Sequence, residues 1–384
     1  MAVAVQEINR CKTLAFIDLK MQQQRIRAKI DEAVKRVLDH GIYILGPEVE
    51  ALERRLAEHA MVEHCITCSS GTDALLLALI ALHVGKGDAV LVPSFTFAAT
   101  AEMVALIGAT PVFVDVNPVS YTIDLSSCEQ ALLLIKKLGL RPAGMISVDL
   151  FGLPCDYMSI EPWLAEREMW LICDAAQSYG ASYHSRKVGS IGTIAVTSFY
   201  PAKPLGCYGD GGAVFTHDDN LAEYIRSLRV HGEYGDKYTN RYVGLNARMD
   251  TLQAAILLEK LEIFDEDLCM RTELAQRYNS RLQSWCHVPQ IPLGVHSSWA
   301  QYTVVLGDDV DRQQLREQLL KKGVPTQVYY PVPVHSQQAY RRYPAVNDMS
   351  VVQRLAQKVL SLPISISRED HAYVLDVVES ALRV

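Results

Sequence analysis

A chain of 384 residues, 49% hydrophobic and 21% charged, has the makeup of a globular protein and the length for two domains with a large core. Its net charge of −7 excludes a global basic field for nucleic acid or an anionic membrane, so an anionic ligand has to be held by local groups. No apolar run reaches membrane-spanning length; the longest, ALLLALIALHV from Ala74, is the size of a core helix.

The start, MAVAVQEINRCKTLAFIDLK, is interrupted by Glu7, Arg10 and Lys12 and has no secretory apolar core. IDLKMQQQRIRAKIDEAVKRVLDHG then predicts an amphipathic helix that begins at or near Asp18. From His64 onward, apolar runs alternate with helical patterns. HCITCS, AVLVPSF, TPVFVDV, AGMISVDL, WLICDA, IAVTSF and GGAVFT read as strands, several of them apolar throughout. Such strands are covered on both faces, as in a mostly parallel sheet, so the expected architecture is a three-layer α/β domain. A helical stretch follows, MDTLQAAILLEKLEIFDEDLCMRTELAQRYNSRL from Met249. Beyond it, QYTVVLG, DRQQLREQLLKKG, PTQVYYPVPV and HAYVLDVVESAL alternate strand and helix on a smaller scale. The expected division is therefore an N-terminal arm and large domain over 1–264 and a small α+β domain over 265–384.

Nine cysteines are scattered along the chain. Cys65 and Cys68 form a CxxC, but no second pair stands at zinc-ribbon spacing, and the pair reads as small buried strand residues rather than a metal or redox site. An odd cysteine count with no signal peptide suits a reducing cytoplasm.

Three motifs carry candidate chemistry. In SSGTDALLLAL, Ser70, Gly71 and Thr72 stand between a strand and a helix, where unpaired N–H groups and the helix dipole attract phosphate. Ser70-x-x-Asp73 also fits an ordinary capping box. In LICDAAQSYGASY, Asp174 ends an apolar strand, the edge that faces the ligand crevice of open α/β sheets. A carboxylate there can hold a protonated ring nitrogen, and Gln177 can add a hydrogen bond; a helix N-cap is the alternative reading. In SFYPAKPLGCYGDGGAVF, Lys203 sits between Pro201 and Pro204, ahead of Gly206, Gly209, Gly211 and Gly212. Neutral lysine attacks aldehydes, and glycines let the backbone approach a bulky ligand; an exposed loop lysine is the alternative. Together the motifs offer a phosphate cradle, an acid for a ring nitrogen and an amine for an aldehyde, which are the requirements of pyridoxal 5'-phosphate.

The blocks FIDLKMQQQ, YILGPEVEALE, CSSGTDAL, VPSFTFAATAEMVALIGATPVFVDV, DAAQSYGA, SFYPAKPLGCYGDGGAVFT, NARMDTLQAAIL and YYPVPVHSQQAY run nearly end to end. In this order the sequence resembles the DegT/DnrJ/StrS family of sugar aminotransferases. More narrowly, AKPLGCYGDGGA and FIDLK resemble members that aminate UDP-2-acetamido-2-deoxy-3-oxo-glucuronate with L-glutamate, for cell-surface polysaccharides such as O-antigen. The resemblance implies the type I (aspartate aminotransferase-like) fold of pyridoxal-phosphate transferases. It implies Lys203 as the Schiff-base lysine and proton carrier, Asp174 against the pyridine nitrogen and Gln177 at the pyridoxal hydroxyl. Gly71, Thr72 and Ser198 would hold the phosphate, and Phe97 would stack on the ring. Asn246 would reach the phosphate of a neighbouring subunit in a homodimer, and Arg248 would meet a substrate carboxylate or stand as a surface arginine. Tyr329 and Tyr330 fall at a substrate-binding position where family members often have His-Tyr; tyrosine can still donate a hydrogen bond there. The segment before Leu14 is longer than the family pattern and reads as a mobile tail.

Other readings compete with this one. They are an aminotransferase for another nucleotide keto sugar (dTDP- or GDP-linked, at C3 or C4), a sugar dehydratase of the same superfamily, and a non-catalytic sugar-binding relative. The dehydratases carry histidine where Lys203 stands. A nicotinamide oxidoreductase is disfavoured, because the glycines after Lys203 do not form GxGxxG between a strand and a helix.

Overall fold

In a computed structural model, residues 14–383 are described; the tail expected before Leu14 lies outside them. The seven apolar runs form seven strands: β1 (His64–Cys68), β2 (Asp88–Pro93), β3 (Thr110–Val114), β4 (Arg141–Val148), β5 (Trp170–Asp174), β6 (Ile194–Ser198) and β7 (Gly212–Thr216). They join in one sheet in the order β1-β7-β6-β5-β4-β2-β3. All six residues of β2 and all five of β7 are buried. Successive strand residues point to opposite faces, so both faces are covered.

Pairing from β6 through β5, β4 and β2 to β3 is parallel, while β7 lies antiparallel between β1 and β6. Six strands therefore run one way and β7 runs against them. The single reversal gathers the carboxyl ends of the six and the start of β7 at one sheet edge. Gly212 pairs with Cys68 on one side and Ser198 on the other.

The first helix, α1 (Leu19–His40), begins where Asp18 accepts hydrogen bonds from the N–H groups of Lys20 and Met21. It buries Ile26, Ile30, Ala33 and Val37, one face at helical spacing, against Ala255 and Ile256. Next come α2 (Pro47–Ala60), α3 (Gly71–Ala81), α4 (Ala99–Leu106), α5 (Leu125–Lys137), α6 (Tyr157–Ala165) and α7 (Asp219–Leu228). Among the described residues, no helix is long and apolar enough to cross a membrane.

The stretch from Met249 is two helices rather than one: α8 (Thr251–Leu261) and α9 (Phe264–Leu282). Ile263 leaves helical geometry with φ −112°, and Asp265, Glu266 and Asp267 crowd the next turn, where a new N-terminal dipole favours negative charge. Past α9, β8 (Tyr302–Val305) pairs antiparallel with β9 (Val359–Leu362). With α10 (Arg312–Lys321) and α12 (Arg368–Leu382) they enclose a second apolar cluster around Tyr278, Tyr302, Leu319 and Val374.

PTQVYYPVPV, expected as a strand, is irregular and keeps one isolated bridge, Gln327 to Ser361. Pro325, Pro331 and Pro333 lack the N–H groups a ladder needs. No turn residue in the sequence marks the end of α11 (Ser350–Lys358), which runs straight into β9.

One buried ion pair ties this framework together. Arg229, 8% exposed, donates to the Glu53 carboxylate on α2 and to the Thr67 carbonyl on β1 at 2.8 Å. Glu53 also accepts the Thr67 N–H and hydroxyl, each at 2.8 Å. Arg229→Ala would strand the carboxylate in the interior. The expected loss is about 3–5 kcal/mol of unfolding free energy in urea titration; a loss under about 1 kcal/mol would put the pair with surface ion pairs.

Candidate active site

The N-terminus of α3 begins directly after β1. Ser70 Oγ accepts the Asp73 N–H at 3.0 Å, and the Asp73 carboxylate accepts the hydroxyls of Ser69 and Ser70. This is half of a capping box, since Asp73 bonds hydroxyls rather than the Ser70 N–H. The cap leaves the N–H groups of Gly71 and Thr72 without an acceptor among the described residues. A Cβ on Gly71 would stand 2.6 Å from Ser198 Cβ, and one on Gly212 would stand 2.4 Å from the Ser70 carbonyl. Only glycines let the helix terminus, the end of β6 and the start of β7 meet this closely. The result is an anion cradle of two free N–H groups beside the Ser198 hydroxyl.

The lysine loop is closed by its own backbone. Phe199 N–H donates to the Gly211 carbonyl at 2.7 Å, Lys203 N–H to Tyr200 at 2.8 Å and Cys207 N–H to Phe199 at 2.8 Å. A Cβ at Gly206 would lie 2.5 Å from the Pro201 carbonyl. The Lys203 side chain is partly buried, and its ammonium has no hydrogen-bond or ion-pair partner among the described residues. Burial pushes its pKa below the ordinary lysine value, against the pull of the Asp174 charge. A larger fraction of neutral, nucleophilic amine follows.

Asp174 ends β5 with 7% of its surface exposed. Burial raises its pKa to about 6, opposed by the Ala176 N–H, the Lys203 charge and the Thr100 hydroxyl, and helped by the charge of Asp149. Its carboxylate accepts the Ala176 N–H at 3.1 Å, a local turn bond rather than a helix cap. Gln177 is buried and engaged at both ends. Its Oε1 accepts the Phe151 N–H at 2.7 Å and its Nε2 donates to the Tyr330 hydroxyl at 3.3 Å. Thr100, Phe151 and Asp149 went unnoticed in the sequence. Thr100 lies inside the SFTFAAT block, but the other two carry no local signal.

The remaining candidates divide between the edge and its surroundings. Tyr330 joins the edge through Gln177 and packs edge-on to Phe95, with ring centroids 6.2 Å apart. Tyr329 packs on Tyr330 and Phe16. Phe97 is 59% exposed on the loop before α4. Asn246 is exposed, its backbone bridged to Val230, and the neighbouring Ala247 carbonyl accepts the Ser69 N–H at 3.2 Å. Arg248 is partly buried with Nε unpaired.

The folded pKa of Asp174 lies above the unfolded value near 3.9. Between the two values the folded state holds a proton that the unfolded chain has released. Stability therefore falls as pH rises through that window, and the cost is complete above about 6. Cofactor-free Asp174→Asn is expected to unfold at higher urea than the parent at about pH 8, by on the order of 2 kcal/mol, with the gap closing near pH 4. A gap that ignores pH would show that Asp174 is not held in its acid form.

The arrangement fits pyridoxal phosphate: a glycine-walled anion cradle, a buried carboxyl and an unpartnered amine share one sheet edge. Comparison with known proteins agrees. Residues 24–379 match the model of the DegT/DnrJ/EryC1/StrS aminotransferase family. The chain is 46% identical to the UDP-2-acetamido-2-deoxy-3-oxo-D-glucuronate aminotransferase of Pseudomonas aeruginosa, over 91% of this chain and 95% of that protein. A crystal structure of a DegT DnrJ EryC1 StrS aminotransferase from Brucella abortus superposes with a TM-score of 0.93 and 44% identity, covering 96% of this chain and 99% of that one. S. venezuelae DesV, crystallised with a ketimine intermediate, gives a TM-score of 0.91 and 36% identity over 97% of this chain and 99% of its own. Aminotransferases of this family use pyridoxal phosphate, and the chain belongs to the DegT/DnrJ/EryC1/StrS aminotransferase family.

Proposed function

We propose that the protein moves the amino group of L-glutamate to a nucleotide-linked keto sugar, UDP-2-acetamido-2-deoxy-3-oxo-glucuronate, for cell-surface polysaccharide such as O-antigen. The observation that carries the reading is the unpartnered Lys203 amine sharing a sheet edge with buried Asp174, beside the cradle at Gly71. The 46% identity to the Pseudomonas aeruginosa enzyme supports the choice of sugar.

Pyridoxal phosphate, when bound, supplies the electron sink against which a C–H bond next to an amine can be broken. In this reading the chain does the rest. The N–H groups of Gly71 and Thr72 and the hydroxyl of Ser198 hold the phosphate. Asp174 keeps the ring nitrogen protonated, and Gln177 orients the ring hydroxyl. Phe97 covers the ring face. Lys203 would be the base that takes the proton from the α carbon of glutamate and, with the sugar bound, the acid that gives a proton to the sugar carbon. Arg248, with Tyr329 and Tyr330, holds the sugar acid. We place Asn246 at the phosphate of the second subunit of a homodimer, the domain boundary at 264/265, and the enzyme in the cytoplasm. Neither nucleic acid nor membrane belongs among its partners.

The test is the visible spectrum of the protein with pyridoxal phosphate, before and after L-glutamate. A lysine-dependent yellow band that bleaches with glutamate is expected, and Lys203→Ala should lose both the band and turnover. Wild-type-like turnover in that variant would overturn the assignment.

Arg248→Ala separates the two substrates. A guanidinium–carboxylate bond is worth roughly tenfold to hundredfold in affinity, so the KM for the sugar acid should rise by about that factor. The rate of bleaching by glutamate should stay unchanged. An unchanged KM for the sugar acid would remove Arg248 from the sugar site.

A further inference from the structure

Behind Asp174 lies a second carboxyl that the reaction as described does not use. Asp149 follows β4 directly, at the point where Val148 pairs with Asp174, and none of its surface is exposed. Its N–H donates to the Asp174 carbonyl at 3.2 Å. One carboxylate oxygen accepts the Tyr157 hydroxyl at 2.6 Å and the Cys155 N–H at 2.8 Å. The other accepts the Ser178 hydroxyl at 2.7 Å, with the Cys173 thiol 3.7 Å away.

We propose that Asp149 is a positioning residue, a buried carboxylate that fixes the Asp174–Ser178 turn and sets negative charge behind the acid that meets the cofactor ring. The inference rests on the pyridoxal-phosphate site assigned above.

Two features of the geometry support it. Ser178 lies next to Gln177 in the turn that follows Asp174. Its hydroxyl bond to Asp149 holds that turn to the end of β4, and Ser298 Oγ, donating to the Gln177 carbonyl at 2.5 Å, holds it from the other side. The contacts around the carboxyl are also nearly all donors. Tyr157 and the thiols of Cys155 and Cys173 are pushed up in pKa by burial and stay neutral. The Cys155 N–H can only donate, and with the Tyr157 and Ser178 hydroxyls turned to the carboxyl the anion takes all three bonds. Burial pulls the other way and raises the Asp149 pKa, with Tyr157, Ser178 and Cys155 lowering it. The titratable groups that face this acid are Tyr157, Cys155, Cys173 and Asp174, with Lys203 beyond Asp174. Lys203 is the one cation in that set, so a charge on Asp149 adds to the negative field at the ring nitrogen.

The experiment titrates the colour of the cofactor-loaded protein with pH. Removing a nearby negative charge destabilises the protonated, cationic form of the bound chromophore. The midpoint of the colour change should therefore fall in Asp149→Asn, by roughly half a pH unit or more. Ser298→Ala loosens the same turn at the Gln177 carbonyl and leaves every donor to Asp149 in place, so its midpoint should stay at the wild-type value. Should Asp149→Asn not fold, Asp149→Ser, smaller and equally neutral, carries the same expectation. A coloured Asp149→Asn protein with an unmoved midpoint overturns the proposal, and so does an equal fall in Ser298→Ala, which would make the effect geometric. If wild-type protein shows no lysine-dependent band, the site assignment itself fails and the inference with it.

Discussion

The site depends on a steric permission. Gly71 and Gly212 carry no Cβ where one would stand within 2.6 Å of neighbouring atoms. Because of that, a helix N-terminus, the end of a parallel strand and the start of the one reversed strand occupy the same few ångströms. The free N–H groups of α3, the Ser198 hydroxyl and the lysine loop all inherit their positions from this contact. A methyl group at either glycine would push α3 away from β6 and open the cradle. The energy of the surrounding core, with strands buried on both faces, is what holds the edges together against the entropy of ordering them.

Charge is arranged on that platform with little tolerance. Asp174 is buried in a place that resists its ionisation, and the amine that opposes it is itself short of partners. Burial holds each group away from its ordinary ionisation. Local instability of this kind is a common cost of a functional site, offset by packing elsewhere.

The fold was largely legible because fully buried strands write themselves as unbroken apolar runs. All seven central strands stand where such runs occur. Asp18 as a helix start and Asp174 at a strand end were legible for equally local reasons. What escaped the sequence was non-local or lacked punctuation. The break between α8 and α9 carries neither glycine nor proline. Helix α11 turns into β9 without a loop. The hydrogen bond from Gln177 to Tyr330 spans 153 residues, and no spacing rule reaches that far. Asp149 looks like any residue after a strand; only its three donors and complete burial distinguish it.

The hydrogen bonds that close the lysine loop run from Phe199, Lys203 and Cys207 main-chain nitrogens to main-chain oxygens, and none uses the lysine side chain. Position 203 is thus a socket whose shape is independent of what is plugged into it. A different side chain there would face the same acid and the same cradle on an undisturbed loop.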